Sequence, residues 1–214
     1  MLPGQFNNAM AAAVIGPVEA DVDDLLAQLV HRSMLASDGA RRPGGPTLFR
    51  QLATVRAHAQ HALADAGEDA DASARRDAWT AALISARPRL GSVDEIAWYQ
   101  VLDDSYATVR ATLARYLIDE PSPVGGRLAP RLQFYWYYRA GLVEGTRWLQ
   151  LGRDAIQDGE PADVMLSEMA LELSSFAVSR TGCRIMASNS SRQYASTFNS
   201  LELFFHDLEI SARS

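Results

Sequence analysis

Lysine is absent from this 214-residue chain: all 20 of its basic residues are arginine. A Walker A loop needs a lysine to reach the β- and γ-phosphates, and Schiff-base or kinase-type chemistry needs one too, so the chain acting alone is excluded from these reactions. Cysteine occurs once, at Cys183, which excludes an intramolecular disulfide and any cysteine-based zinc cluster. Long apolar runs are missing as well. Each candidate is broken by Arg, Asp or Gly before the roughly 20 residues that a membrane span needs. Met1 to Val14 carry no basic segment, so no secretory signal is expected and the protein is read as cytoplasmic. Positive charge is in deficit: 20 basic residues face 26 acidic ones, for a net charge of −6. That balance opposes a duplex-binding surface, because phosphate neutralisation supplies most non-specific affinity.

What is present is ordinary globular composition, with 48% hydrophobic and 21% charged residues, enough for one sizeable core or two small ones. Of the four histidines, His58 and His61 stand three apart on one expected helix, but no His-Glu-x-x-His pattern accompanies them. They are read as helix surface, and no metal site is expected. Nor is there a Gly-x-Ser-x-Gly elbow or a convincing nucleophile-base constellation, so no catalytic or cofactor-binding residue is assigned.

The order of elements is legible from punctuation and periodicity. Ala9 to Ile15 form a short apolar helix stopped by Gly16-Pro17. Asp21 or Asp23 caps a second helix, on which Val22, Leu25, Leu26, Leu29 and Val30 share a face expected to be buried. Ser33 to Ala36 leave it as a strand. Ser37 to Pro46, with three glycines and two prolines, form a hairpin tip or wing, and Thr47 to Leu52 return. Thr54 to Ala66 are helical, with Val55, Ala59, Ala62 and Leu63 on one face and Gly67 as the stop. Helix, helix, hairpin, helix is a winged-helix order, assigned to residues 1–68.

The acidic, polar stretch Glu68 to Ala74 suits a connection, and a helical domain is assigned to 74–214. Within it Arg75 to Ala86, Val93 to Tyr99 and Leu102 to Ile118 are expected helices, the last with an apolar stripe through Tyr106, Val109, Leu113, Tyr116 and Leu117. Arg139-Ala-Gly141 and Arg180-Thr-Gly182 each look like the end of one apolar helix and the start of the next, a weak repeat that predicts stacked helical pairs. The Ser/Asn-rich segment Ser188 to Arg192 is a poor helix former within the second copy.

Several phrases carry a family likeness. Leu25-Leu-Ala-Gln-Leu-Val-His-Arg-Ser-Met-Leu35 followed by Leu48-Phe-Arg-Gln-Leu-Ala-Thr-Val-Arg-Ala-His-Ala59 resembles the winged-helix region of multidomain bacterial regulators of the AfsR/SARP and LuxR-associated ATPase type. Ala74-Arg-Arg-Asp-Ala-Trp79, Leu102-Asp-Asp-Ser-Tyr-Ala-Thr-Val-Arg-Ala-Thr-Leu113 and Phe134-Tyr-Trp-Tyr-Tyr-Arg-Ala-Gly-Leu-Val-Glu-Gly-Thr-Arg-Trp-Leu149 are similar to later phrases of the same family, in the same order. The resemblance implies a mainly α fold: a winged helix with a small β-hairpin followed by a tetratricopeptide-like α-α array. It also implies a regulatory, non-enzymatic module of a STAND-type signal-transduction ATPase, here without the ATPase. Departures are Thr108 for Asn, Asp77 for His, and Gln51-Leu-Ala53 where related STAND proteins carry a His-Asp pair that senses nucleotide. The likeness therefore does not extend to nucleotide sensing, and no cofactor is expected.

A groove for a partner or ligand is expected around the aromatic turn, from Tyr135, Tyr138, Arg139, Glu144, Arg147 and Trp148, because successive aromatics on one helix cannot all face inward. The partner is expected to be a protein or the regulator's own domains, or a small-molecule signal. Ion pairing that fixes the fold is the plainer role for Arg139, Glu144 and Arg147, and the paired acids Asp23-Asp24 and Asp103-Asp104 are read as solvated helix ends. Two alternatives stay open: a DNA-binding factor whose wing presents Arg41-Arg42, and an enzyme with an adapted aromatic pocket. Against DNA, Asp21, Asp23 and Asp24 crowd the helix that would meet phosphates.

Overall fold

The computed structural model describes residues 2–17, 20–157 and 159–184, with side-chain placement up to 175 except for 140, and at 177. It is mainly helical, with one small antiparallel sheet near the N-terminus, and its contacts divide it into two compact units. The first contains the chain up to Ala86 together with Tyr99–Arg115; the second contains Arg87–Trp98 and the chain from Tyr116 on.

In the first unit, strand β1 (Gln5–Phe6) precedes α1 (Asn8–Ile15) and α2 (Val22–His31). The hairpin of β2 (Leu35–Gly39) and β3 (Leu48–Gln51) then leads to α3 (Ala53–Asp65) and α4 (Asp69–Ser85). The sheet order is β1-β3-β2, with Gln5 opposite Arg50, Phe6 opposite Phe49 and an irregularity between Ser37 and Gly39. Local chemistry sets these boundaries. The Asn7 side chain accepts the Met10 N–H at 3.0 Å to start α1, and Gly16, at φ +82°, closes it by donating its N–H to the Ala12 carbonyl.

Helix α4 starts earlier than expected. Glu68 to Ala74 is not a connection: Asp69 and Asp71 occupy the first turn, where the helix dipole favours acids, and the intervening alanines are strong helix formers. Helix α5 runs unbroken over Val93–Ala114 rather than as two helices, since no Gly or Pro lies between Tyr99 and Leu102. A π-helical turn, Arg115–Asp119, follows it.

The core of this unit gathers Leu2, Phe6, Met10, Val14, Leu26 and Phe49, with the Phe6 and Phe49 rings 6.1 Å apart. Only Leu26 of the expected α2 face is buried, and α3 buries no residue fully. Gly4, at φ +75°, lies so close to α5 that a Cβ there would come within 2.6 Å of the Ala107 Cβ. The Thr108 hydroxyl donates to the Met10 sulfur at 3.5 Å. Helix α5 therefore turns a polar row, Asp104, Thr108 and Thr112, inward as well as its apolar stripe. Thr112 donates to Asp77 Oδ1 at 2.7 Å, Arg115 pairs with Asp77 Oδ2 at 2.8 Å, and Arg76 with Oδ1 at 2.8 Å, so a carboxylate with 0% exposure joins α4 to the end of α5.

The second unit contains α6 (Pro123–Leu128), a 3-10 turn (Ala129–Leu132), the short α7 (Gln133–Tyr135), a π-helical turn (Trp136–Ala140), α8 (Leu142–Ile156) and α9 (Pro161–Arg184). Close approach is its organising feature. A Cβ on Gly126 would fall 2.1 Å from Ile156 Cγ2 and 2.8 Å from the Gly152 carbonyl oxygen, so only glycine lets α6 lie on α8. Gly141, at φ +102°, makes the turn from the aromatic segment into α8. The corresponding Arg180-Thr-Gly182 makes no turn, because α9 continues through it. The segment Ser188 to Arg192 lies outside the described residues.

Replacing Asp77 by Ala removes the counter-charge shared by Arg76 and Arg115. The expected loss is about 3 kcal/mol, read as a lower urea midpoint at an unchanged slope. An unchanged midpoint would show that the cluster does not hold α4 to α5.

Candidate functional site

The wing is tied down by its own arginines. On the sheet, Gln5 donates to Asp38 Oδ2 at 2.7 Å and Arg50 pairs with the same oxygen at 3.2 Å. These two bonds, the Gln5 bond foremost, hold the Asp38 carboxyl below its usual range. Arg41 donates to the Gln5 side-chain oxygen and, at 3.3 Å, to the Asp103 carbonyl. Arg42 grips Asp104 with both terminal nitrogens, at 3.2 and 2.8 Å, and the Asp104 side chain is only 3% exposed. Asp104 is thus not a solvated helix end. It sits within α5 as the buried anchor of the wing, and a forked guanidinium on a carboxylate is the strongest ion-pair geometry available.

Helix α2 directly precedes the hairpin. Its cap, Asp21, accepts the Asp23 N–H at 2.8 Å; Asp23 and Asp24 fill its first turn, and all three are exposed. Acids there complement the helix dipole but would face phosphates with like charge. His58 and His61 lie exposed on α3, and no group of three His, Cys, Asp or Glu with metal-ligating geometry occurs among the described residues.

The first unit also contains an apolar groove of about 500 Å³. Helices α1, α2, α3 and α4 each contribute to it, through residues such as Val14, Ile15, Leu29, Leu63 and Ala72. Ile15 and Leu29 remain 40% and 36% exposed within it. Arg75 is a cation on this wall, its Nε donating to the Val14 carbonyl at 2.7 Å. Periodicity places Leu29 on a face expected to be buried and Leu63 on one face of its helix. That they flank an opening depends on how far apart α2 and α3 stand, which no periodicity encodes.

In the second unit the expected groove residues are split. Tyr135 and Trp148 are buried at 2% and 7% exposure, whereas Tyr138, Arg139 and Arg147 are exposed. Trp148 donates its indole N–H to Glu144 Oε1 at 3.1 Å, one turn back on α8. Phe134 and Tyr138 stack at 6.5 Å, Tyr137 meets Tyr138 edge-on at 5.0 Å, and Arg87 lies 5.4 Å from the Phe134 ring centre. The turn therefore has a packed side, with Tyr135 and Trp148, and an aromatic outer side, with Tyr137 and Tyr138.

Comparison with known proteins finds distant relatives. Over 148 residues, 68% of the chain, it is 31% identical to proteins named "Putative HTH-type transcriptional regulator" in Mycobacterium tuberculosis and Mycobacterium bovis. The chain is distantly similar to transcriptional regulators. The matched stretch is 16% of the length of each of these relatives, so it corresponds to a small part of a much larger protein. No family model matches the chain, and no solved structure does. No helix among the described residues is long and apolar enough to cross a membrane.

Two predictions concern the wing. Because the folded-state pKa of Asp38 is lowered, its stabilising contribution is present above the ordinary carboxylate value and is lost as pH falls through the folded one. In an NMR titration Asp38 should have its midpoint below 3.8 and move upward in Gln5→Ala; a midpoint that ignores the substitution would contradict the ladder. Asp104→Asn should release the wing and speed tryptic cleavage between Arg41 and Arg42 by about tenfold, and equal cleavage rates in the two proteins would show that Asp104 is not the anchor.

Proposed function

We propose that this chain is a non-enzymatic regulatory arm of a bacterial transcriptional regulator of the AfsR/SARP, STAND-associated type. In this reading a winged helix is joined to tetratricopeptide-like helical pairs, and the arm works by binding protein, namely the ATPase and other domains of the same regulator system. The observation that carries the reading is the state of the wing. Its two arginines, the residues a DNA-binding wing would offer to phosphates, are spent on Asp104, the Asp103 carbonyl and Gln5. The acidic first turn of α2 and the net charge of −6 act in the same direction. The similarity to a small share of long transcriptional regulators supports a part that serves other domains. The exposed Tyr137-Tyr138 pair offers aromatic contact area of the kind enriched at protein interfaces.

Two titrations with the purified chain test this. Fluorescence anisotropy with duplex DNA is expected to give no saturable complex even at low salt. Calorimetry with the ATPase module of a STAND-type regulator is expected to give a one-to-one complex, weakened at least tenfold by Tyr138→Ala, the size of loss typical of an interface anchor. A salt-dependent DNA complex abolished by Arg41→Ala and Arg42→Ala would overturn the proposal in favour of a DNA-binding factor.

A further inference from the structure

We infer that the groove of the first unit is a binding site for a small amphipathic monocarboxylate, such as a medium-chain fatty acid, with its carboxylate on Arg75 and its apolar body among Val14, Leu29 and Leu63. The site would exist whatever larger protein the chain serves. Three observations converge on this ligand class.

The first is size. About 500 Å³ falls within the roughly 300–1,000 Å³ of small-molecule pockets. Two turns of a partner helix, at 10–12 Å across with side chains, would displace roughly 1,000 Å³, which makes a docked helix the poorer fit.

The second is wetted apolar surface. Ile15 and Leu29 stay more than a third exposed inside the groove, and α3 forms one wall without burying a single residue fully. An apolar body placed there removes from water surface that the fold itself leaves uncovered.

The third is charge. The Nε–H of Arg75 is held by the Val14 carbonyl at 2.7 Å, which fixes the guanidinium plane, while its two terminal nitrogens bond to no described residue. A fixed fork of N–H donors beside an apolar wall matches a carboxylate. Among the described residues, the remaining polar side chains on the lining are Gln51 and Glu68. Glu68 is exposed at the start of α4, seven residues from Arg75 and so about 10 Å along the helix axis. It therefore does not cancel the cation where the head group would sit.

Calorimetric titration of the full chain with decanoate, and separately with decanol, tests the assignment. Decanoate should saturate a single site. Arg75→Gln should weaken decanoate at least tenfold while leaving decanol unchanged, a difference that loss of folding could not produce. Ala62→Trp, which places a bulky ring on the exposed α3 wall, should abolish binding of both. Absence of saturable decanoate binding, equal weakening of both ligands by Arg75→Gln, or full binding by Ala62→Trp would each overturn the proposal.

Discussion

The carboxylate of Asp77 is the constraint on which the first unit depends. A small three-stranded sheet with short helices buries little surface for its volume by itself. Here its core extends over α1 to the partly buried Trp79 of α4, and Met10 meets Thr108 of α5. A fully buried charge is tolerated only when it is paired and hydrogen-bonded. Asp77 meets that condition by drawing Arg76, Thr112 and Arg115 to one point. Satisfying one carboxylate thereby fixes the contact between α4 and the C-terminal end of α5.

With α5 so placed, a second carboxylate becomes available to the wing. Asp104 lies just over two turns before Thr112 on the same helix and receives the fork of Arg42. The chain from Asp38 through Gln5 and Arg41 to Asp104 is thus a continuous polar network from the sheet to α5. Its functional meaning is electrostatic. A wing whose cations already have a carboxylate partner has less to offer a phosphate backbone, and the regulatory role shifts toward contacts with protein or ligand. No residue of this network lines the groove, and the terminal nitrogens of its cation, Arg75, bond to no described residue.

Much of this architecture was legible beforehand. Gly16-Pro17, the Gly- and Pro-rich segment after Asp38, and Gly67 all mark real boundaries, because backbone conformations that few residues tolerate leave a direct trace in sequence. Misread segments share one cause. Asp69, Asp71 and the alanines between them look like linker by polarity yet are good first-turn residues, and Arg180-Thr-Gly182 looks like a stop although glycine alone does not end a helix. Of the residues expected to form an aromatic groove, Tyr135 and Trp148 pack inward and Tyr138 stays outside. Adjacent aromatics on a helix point in different directions, and which one meets a neighbour is settled by that neighbour.

The sequence by itself determined the first two helices, the hairpin and the helix that follows it, the absence of lysine chemistry and the acidic balance. These follow from local propensity and from composition, which do not depend on what lies nearby in space. Only the tertiary structure decided that Asp104 is buried, that Arg41 and Arg42 are engaged, and that Leu29 and Leu63 border an opening. Each of those outcomes rests on the distance between elements far apart in the chain. An arginine or a leucine has the same helical periodicity whether its neighbour stands at contact distance or several ångströms away.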